Sequence, residues 1–237
     1  MIATIVNALA VIAGSLVGLL LHGRIRESFK SVVYVGAGIT SLIIGIQMAM
    51  SASKIVYLAL SLIIGGILGT WWRIEEGILS LGEALKRTFA RGDKGKDFAF
   101  GFLNASVLFC VGAMALVGSF KAGAEGNYDL IFTKSVMDAF MSIVFTAAMG
   151  IGVAFSALTV LVYQGLLTLA AVWLKPLVSP ELLKELTGVG GALVIMIGIN
   201  LLGLAKLKTA NFLPALILIV LFVAGEGFAA SHHLFGL

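Results

Sequence analysis

The longest stretch without charge most constrains what this chain can fold into. Residues 139–174 form a run of 36 amino acids with no Asp, Glu, Lys or Arg, bounded by Asp138 and Lys175. As one helix this run would be about 54 Å long, whereas the hydrocarbon core of a bilayer is about 30 Å thick. The run must therefore turn back, and the Gly-Ile-Gly motif at 150–152 is the natural bend. We predict a helical hairpin over residues 133–174.

The composition places the whole chain in a membrane. Of its 237 residues 60% are hydrophobic and 12% are charged, and the mean hydropathy is +1.10. Soluble domains carry about 25% charged residues. Several further uncharged runs are long enough to span a bilayer, so we predict an all-α polytopic membrane protein.

Eight transmembrane spans are predicted from the uncharged runs, or seven if the hairpin counts as one. The first lacks the basic start and the cleavage site of a signal peptide, so we expect it to be retained. Apolar residues at spacings of three and four between Ile74 and Phe89 predict an amphipathic helix lying on the membrane. Ser179 is a suitable cap for a short helix from Pro180. The spans are residues 2–21, 31–50, 55–72, 98–120, the two arms of 133–174, 187–205 and 209–228.

Basic residues in the connecting loops predict the orientation. The loops after spans one, three and seven carry eleven Lys and Arg, and the other side carries five. The richer side should be cytoplasmic, which places both termini outside. We read these residues as topology signals and expect no nucleic-acid partner. The eleven are Arg24, Arg26, Lys30, Arg73, Lys86, Arg87, Arg91, Lys94, Lys96, Lys206 and Lys208, and the five are Lys54, Lys121, Lys134, Lys175 and Lys184.

A faint internal repeat predicts two inverted halves. An Asn-Ala pair early in span one, at Asn7, recurs early in span four, at Asn104. Gly38 and Gly45-Ile46-Gln47 in span two match Gly191 and Gly198-Ile199-Asn200 in span seven, with the same internal spacing. Three spans precede the second copy, so it starts from the opposite side of the membrane, as in many secondary transporters. We therefore predict one transmembrane domain, 1–237, with a three-helix unit at 1–72, an interfacial segment at 73–97, and a second unit at 98–237 holding the inserted hairpin.

Asp138 is the leading site candidate, with Lys134 one helical turn before it. An acid inside a span is expensive and usually faces a partner or water, so the pair could bind an ion or relay a proton. The alternative is an ion pair that anchors the helix end at the lipid headgroups. Glu226 near the end of span eight is more typical of an interfacial acid, and a proton-coupling role is the alternative.

Neutral side chains within the spans are candidate ligands for a cation or polar solute. Each of these amides could equally be a hydrogen bond that holds helices together. Glycines at Gly150 and Gly152 could unwind the hairpin helix beside a ligand, although most glycines here are typical of close packing between helices. The amides are Asn7, Gln47, Asn104, Gln164 and Asn200.

Enzymatic chemistry is not expected. The chain has no P-loop, no HExxH motif and no nucleophile paired with a base. Its lone cysteine, Cys110, excludes a disulfide framework, and we expect no cofactor and no metal site.

Several motifs resemble those of the YqgA-like bacterial integral membrane proteins, a family classed as a domain of unknown function. The resemblance covers essentially the whole chain and implies a bacterial inner-membrane protein. It implies no substrate and no functional residue. The motifs are LFCVGAMA at 108–115, Lys134-Ser135 with Asp138, GIGVAFSA at 150–157, Tyr163-Gln164-Gly165, Gly190-Gly191, Gly198-Ile199-Asn200 and NFLPA at 211–215.

The leading hypothesis is a small transporter or channel for an ion or small polar solute, because the chain has little mass outside the membrane for other work. The site would lie near the 133–174 hairpin, at the interface of the repeats. The alternative is a membrane scaffold or regulatory subunit that docks a partner through residues 73–96. The bilayer is an expected partner, and small-residue stripes such as Gly14 with Gly18 offer surfaces for a homo-oligomer.

Overall fold

Helices joined by short turns and loops form the structure, a computed structural model that describes residues 1–22, 27–89, 95–110, 113–174 and 179–231. No strand occurs within these ranges. A short 3₁₀ helix, Thr209–Phe212, precedes the last α-helix. The α-helices are α1 (Ile2–His22), α2 (Glu27–Ala49), α3 (Ile55–Trp71), α4 (Ile74–Phe89), α5 (Gly95–Cys110), α6 (Ala113–Ala124), α7 (Asp129–Met149), α8 (Gly152–Leu174), α9 (Pro180–Leu201) and α10 (Pro214–Ser231).

Five stretches of the described chain are long and apolar enough to cross a bilayer, and bent helix pairs raise the number to seven. The five are α1, α7, most of α8, α9, and the segment Thr209–Glu226. The bent pairs are α3 with Ile74–Ala84, at 56°, and Phe98–Cys110 with Met114–Ala124, at 58°. Helix α2 contributes only the shorter apolar stretch Tyr34–Ala49. The prediction of an all-α polytopic membrane protein is confirmed.

The predicted reversal in the uncharged run lies at Gly150. Helix α7 ends at Met149 and α8 begins at Gly152. Gly150 has a φ of 80°, in the region that favours glycine, and its N–H still donates to the carbonyl of Thr146 at 2.9 Å. Each arm is long enough to cross the hydrocarbon core by itself.

Two predicted spans differ from the observed helices. The span at 98–120 is divided between α5 and α6 by the 58° bend. The short helix at Pro180 and the span predicted from Thr187 are instead one helix, α9. Ser179 caps it as predicted, accepting from the N–H of Leu182 at 3.0 Å. The helix is continuous because Glu185 is bonded on its buried face, so this charge does not interrupt the apolar segment.

Helix α4 packs against α5. Gly82 lies against Ala99 and Phe102, and Ile78 and Leu79 pack onto the core, whereas Leu81 is exposed. Ile78 and Leu79 are half-buried because α5 covers that side of α4, and the expected position of this amphipathic helix on the membrane stays a prediction. The side chains of residues 85–97 lie outside the described part of the structure.

Antiparallel glycine contacts join α2 to α9. A Cβ added to Gly45 would lie 2.9 Å from the carbonyl oxygen of Gly191, and one added to Gly191 would lie 2.6 Å from that of Gly45. Likewise, a Cβ added to Gly38 would lie 3.2 Å from the carbonyl oxygen of Gly198, and one added to Gly198 would lie 2.9 Å from that of Gly38. Such close backbone approach needs glycine on both helices.

The stripes of small residues pack against other helices of the same chain. Gly14 and Gly18 of α1 lie against α7, and Gly65 and Gly69 of α3 lie against Ala215 and Asn211. They therefore give no support to the predicted homo-oligomer, which stays a prediction. The predicted orientation also stays a prediction, and five of its basic residues lie outside the described ranges: Arg24, Arg26, Arg91, Lys94 and Lys175.

Candidate functional site

A buried ion pair lies on α7. Lys134 and Asp138 are one turn apart on the face that packs into the bundle, and they are only 6% and 7% exposed. The ammonium of Lys134 donates to Oδ2 of Asp138. Lys134 Nζ also lies 5.8 Å from the ring centroid of Phe109, within range of a cation–π interaction. Two charges are thus held inside an apolar bundle, where each depends strongly on the other.

Two amides from neighbouring helices complete the cluster. Asn7 of α1 donates through Nδ2 to Oδ2 of Asp138 at 3.1 Å and to Oε1 of Gln164 at 3.0 Å. Asn7 and Gln164 are fully buried. Oδ1 of Asn7 and Nε2 of Gln164 have no hydrogen-bond partner among the described residues. The cluster of Lys134, Asp138, Asn7 and Gln164 therefore keeps one acceptor and one donor free in a buried site.

A cavity of about 240 Å³ opens beside the ion pair. Lys134 and Asp138 supply its charged wall, and the rest is almost entirely apolar. Methionines from α2, α6 and α7 are prominent, and such side chains adapt to ligands of different shape. The remaining lining residues are Ile44, Met48, Leu108, Phe109, Met114, Met137, Met141, Thr187 and Val194.

Asn104 and Asn200 belong to a second cavity, of about 440 Å³. Asn104 donates to the carbonyl of Phe100 at 2.8 Å, and its buried Oδ1 has no partner in the described chain. Asn200 accepts from the N–H of Leu207 at 2.7 Å and donates to its carbonyl at 2.8 Å, so it fastens the loop that follows α9. Glu75, Lys206 and Lys208 add charge to this cavity.

The two cavities share α5 and α9 at different levels. On α5 the first cavity is lined by Leu108 and Phe109 and the second by residues 100–104. On α9 the second cavity is lined by Asn200, six residues, or about 9 Å, beyond Val194. Buried Val107 and Ile197 occupy the intervening positions on these helices.

Gln47 and Glu226 do not join the buried cluster. The side chain of Gln47 is exposed on α2. Glu226 forms an ion pair with Lys54, and its side chain is 44% exposed. Lys54 also pairs with Glu181 at 2.7 Å, and these carboxylates, Glu181 first, raise the pKa of Lys54 above its usual value.

The hairpin glycines have separate positions. Gly150 forms the turn, and Gly152 is the first residue of α8, where a Cβ would lie 2.8 Å from the carbonyl carbon of Phe98. Gly152 therefore permits α8 to approach α5 closely, and the predicted unwinding beside a ligand stays a prediction.

Sequence reasoning missed Glu185. This side chain is fully buried on α9, and its Oε1 accepts from Ser53 N at 2.8 Å, Ser53 Oγ at 2.7 Å and Lys54 N at 3.0 Å. It thereby neutralises the N-terminus of α3, where anions are favoured. Its spacing of three from Leu182 and four from Val189 would have placed it on the buried face.

Ser142 and Thr146 were also missed. They continue the four-residue spacing that begins at Lys134, which is visible in the sequence. Within the described ranges no three His, Cys, Asp or Glu side chains come together as a metal site would require.

Comparison with known proteins places the chain in a family. Residues 2–224 match the family described as "Protein of unknown function (DUF554)". The chain is 30% identical over 243 residues to "Uncharacterized membrane protein YdfK" of Bacillus subtilis (strain 168), covering 100% of this chain and 99% of that protein. It is 27% identical over 216 residues to "Uncharacterized protein YqgA" of Escherichia coli (strain K12), covering 90% and 92%. No solved structure matches the chain. With its apolar helices and this full-length match, the chain is a membrane protein and belongs to the DUF554 family.

Proposed function

We propose that this chain is a small transporter or channel for an ion or small polar solute, with its site at the cluster of Lys134, Asp138, Asn7 and Gln164. One observation carries the proposal: a charged pair and two incompletely bonded amides are buried together beside a cavity in an otherwise apolar bundle. Charged residues within membrane helices are costly and typically mark the paths of solutes or ions.

The energetics of the cluster favour an exchange of partners. Breaking a buried ion pair by removing one charge costs about 3–5 kcal/mol, because the other charge is left uncompensated. A solute or proton that takes over Asp138 or Lys134 compensates that charge. Binding can therefore be coupled to a rearrangement of α7 against α1 and α8, whose amides contact the pair.

The paired cavities are consistent with alternating access. Each is lined by α5 and α9 at a different level, with packed apolar residues between the levels. In transporters with inverted repeats, a site near the bilayer midplane opens to one side and then to the other. We propose that the cavity at Asp138 faces outside and the cavity at Asn104 faces the cytoplasm, with both termini outside.

The α2–α9 contact supports the inverted repeat. The repeat pairs Gly38 with Gly191 and Gly45 with Gly198. A two-fold axis that exchanges the copies would turn the contact of Gly38 with Gly198 into the contact of Gly191 with Gly45. Such an axis would equate the distance from the Cβ at Gly198 to the Gly38 oxygen with that from the Cβ at Gly45 to the Gly191 oxygen, and both are 2.9 Å. The other two distances that it would equate are 3.2 Å, from Gly38 to Gly198, and 2.6 Å, from Gly191 to Gly45.

Proteoliposomes test the proposal. Purified protein is reconstituted, and electrogenic uptake is recorded on a solid-supported membrane for protons, alkali cations, amino acids and small organic anions. Neutral polyols and sugars are followed by vesicle swelling. We expect flux above that of protein-free vesicles, and we expect Asp138→Asn to abolish it while the protein keeps its elution volume and helical circular dichroism. Full flux in Asp138→Asn, or none in the natural chain, would contradict the proposal.

The same samples address the alternative of a scaffold that acts through residues 73–96. A scaffold would tolerate Asp138→Asn and lose its partner when the exposed side of α4, at Leu81 and Glu83, is made alanine. The proposal also holds that the chain is not an enzyme and that it resides in the bacterial inner membrane.

A further inference from the structure

A column of polar side chains continues from Asp138 along α7. Lys134, Asp138, Ser142 and Thr146 follow one another at intervals of four residues, and none is more than 7% exposed. This column covers about 18 Å of helix, more than half of the hydrocarbon core. It lies within the bundle, so lipid contact does not explain it.

The two hydroxyls of the column differ from other hydroxyls on the same helix. Thr133 and Ser135 donate to the carbonyls of Asp129 and Ile131, at 2.9 and 2.7 Å. This bond to the preceding turn is the usual local solution for Ser and Thr in a helix. Ser142 Oγ and Thr146 Oγ1 are buried and have no partner in the described structure. Their hydrogen-bonding capacity is therefore left for another group.

Helix α1, which packs closely against α7, also carries buried polar side chains. The side chain of Thr146 lies against Gly18. Ser15 is also buried on α1, and its hydroxyl likewise lacks a partner among the described residues. At the far end, Nδ1 of half-buried His22 lies 2.9 Å from the carbonyl oxygen of Ala147. The polar residues of α1 and α7 thus extend from the contact of Asn7 with Asp138 at one end to that of His22 with Ala147 at the other.

We propose that the interface of α1 and α7 is a proton path between Asp138 and His22. The inference rests on the proposed transport function and names the proton as the ion that this site moves. Ser142, Thr146 and Ser15 hold a single file of water molecules when the helices separate, and each hydroxyl accepts one hydrogen bond and donates another.

The spacing suits such a file. Residues four apart on a helix have Cβ atoms about 5–6 Å apart, and one water bridges that gap with two hydrogen bonds of about 2.8 Å. A proton arriving at the imidazole of His22 passes along the hydroxyls and waters. Each oxygen releases one proton as it receives another. At the end the Asp138 carboxylate becomes a neutral carboxyl and releases its hold on the Lys134 ammonium.

The surroundings favour a proton over a larger cation. A Cβ added to Gly14 would lie 2.9 Å from the carbonyl carbon of Ala139, so the helices are in contact. A hydrated cation would need them to part widely, whereas a proton needs only hydroxyls linked by single waters. The titratable groups facing Asp138 among the described residues are Lys134 on its own helix and Cys110 on α5, while α1 and α8 present the neutral Asn7 and Gln164.

Proton flux through proteoliposomes tests the path. Vesicles loaded with pyranine receive a potassium gradient and valinomycin, and the inward proton current is read from the dye. The test variant is Ser142→Ala with Thr146→Val. Its matched control is Ser135→Ala with Thr133→Val, which removes two hydroxyls that are already bonded within the same helix. All samples are compared for elution volume and thermal unfolding.

We expect the test variant to conduct protons at least about tenfold more slowly than the natural chain, a change of about 1.4 kcal/mol in the barrier. The control variant should conduct normally. Equal conduction by both variants overturns the path and leaves the transport proposal standing if Asp138→Asn still abolishes flux. If the natural chain conducts no protons but carries another solute, the path alone fails. If it carries nothing, both proposals fail.

Discussion

Two clusters of lysine and carboxylate in this protein use the same chemistry in opposite surroundings. On α7, Lys134 and Asp138 are almost fully buried and are supplemented by the amides of Asn7 and Gln164. At the start of α3, Lys54 is paired with Glu181 and Glu226, and its side chain is 26% exposed.

The comparison shows that the degree of burial, and not the residue type, distinguishes an ion pair that is a candidate binding site from one that only joins helices. In water an ion pair is screened and its loss is tolerated. In an apolar bundle each charge needs its partner, so the pair responds to any proton or solute that replaces one member. The exposed cluster joins α3, α9 and α10, and nothing in its contacts calls for a ligand.

Removing one charge from the buried cluster should have the largest effect. We expect Lys134→Met to lower the free energy of unfolding by about 3–5 kcal/mol, because Asp138 is left buried and unpaired. Adding Asp138→Asn to that variant should recover most of the loss. The measurement is unfolding by SDS in mixed micelles, followed by tryptophan fluorescence. Equal stability of the single and double variants would show that the charges are not coupled.

Separating the helices that build the buried cluster should have an intermediate effect. Gly14→Ala places a Cβ against the carbonyl of Ala139, and such overpacking costs about 1–3 kcal/mol. It should also weaken the bond from Asn7 to Asp138. Gly36→Ala is the matched control, because its added Cβ would have no atom within 4 Å apart from the neighbouring backbone of its own helix. The same micelle titration measures both, and an equal response would mean that α1 and α7 pack less closely than described.

Removing the exposed lysine should have the smallest effect. Lys54→Gln should cost less than about 1 kcal/mol at neutral pH, as is usual for exposed pairs. Because the carboxylates raise the pKa of Lys54 from its usual 10.5, its contribution is fully present below that pH and is lost as the pH rises further. The variant and the natural chain should therefore converge in stability at strongly alkaline pH. A large loss of unfolding free energy in Lys54→Gln at neutral pH would show that the exposed and buried clusters do not differ as proposed.

The pairing of Lys134 with Asp138 could be predicted from their spacing, because residues four apart on a helix are neighbours. The partners Asn7 and Gln164 could be named as buried amides but not assigned to Asp138. Asn104 and Asn200 looked equivalent to them in the sequence, yet they lie at another cavity. Which amide reaches which helix depends on how distant segments cross, and local spacing carries no information about that.

Glu185 also shows that sequence patterns do not identify tertiary partners. Its spacing from Leu182 and Val189 indicates the buried face of α9, but the sequence does not identify its partner. That partner is the N-terminus of α3, where the N–H groups of Ser53 and Lys54 donate to Oε1 of Glu185. Two residues that lie 132 and 131 positions earlier in the chain thus decide the environment of this carboxylate.

The sequence by itself determined the membrane setting, the helical class and the reversal at Gly150, because an uncharged run longer than the bilayer is thick can satisfy its backbone only as helices that fold back. Only the tertiary structure decided which polar groups meet. In an apolar medium helices are matched by close packing and interhelical hydrogen bonds, and those depend on surfaces that come together from opposite ends of the chain.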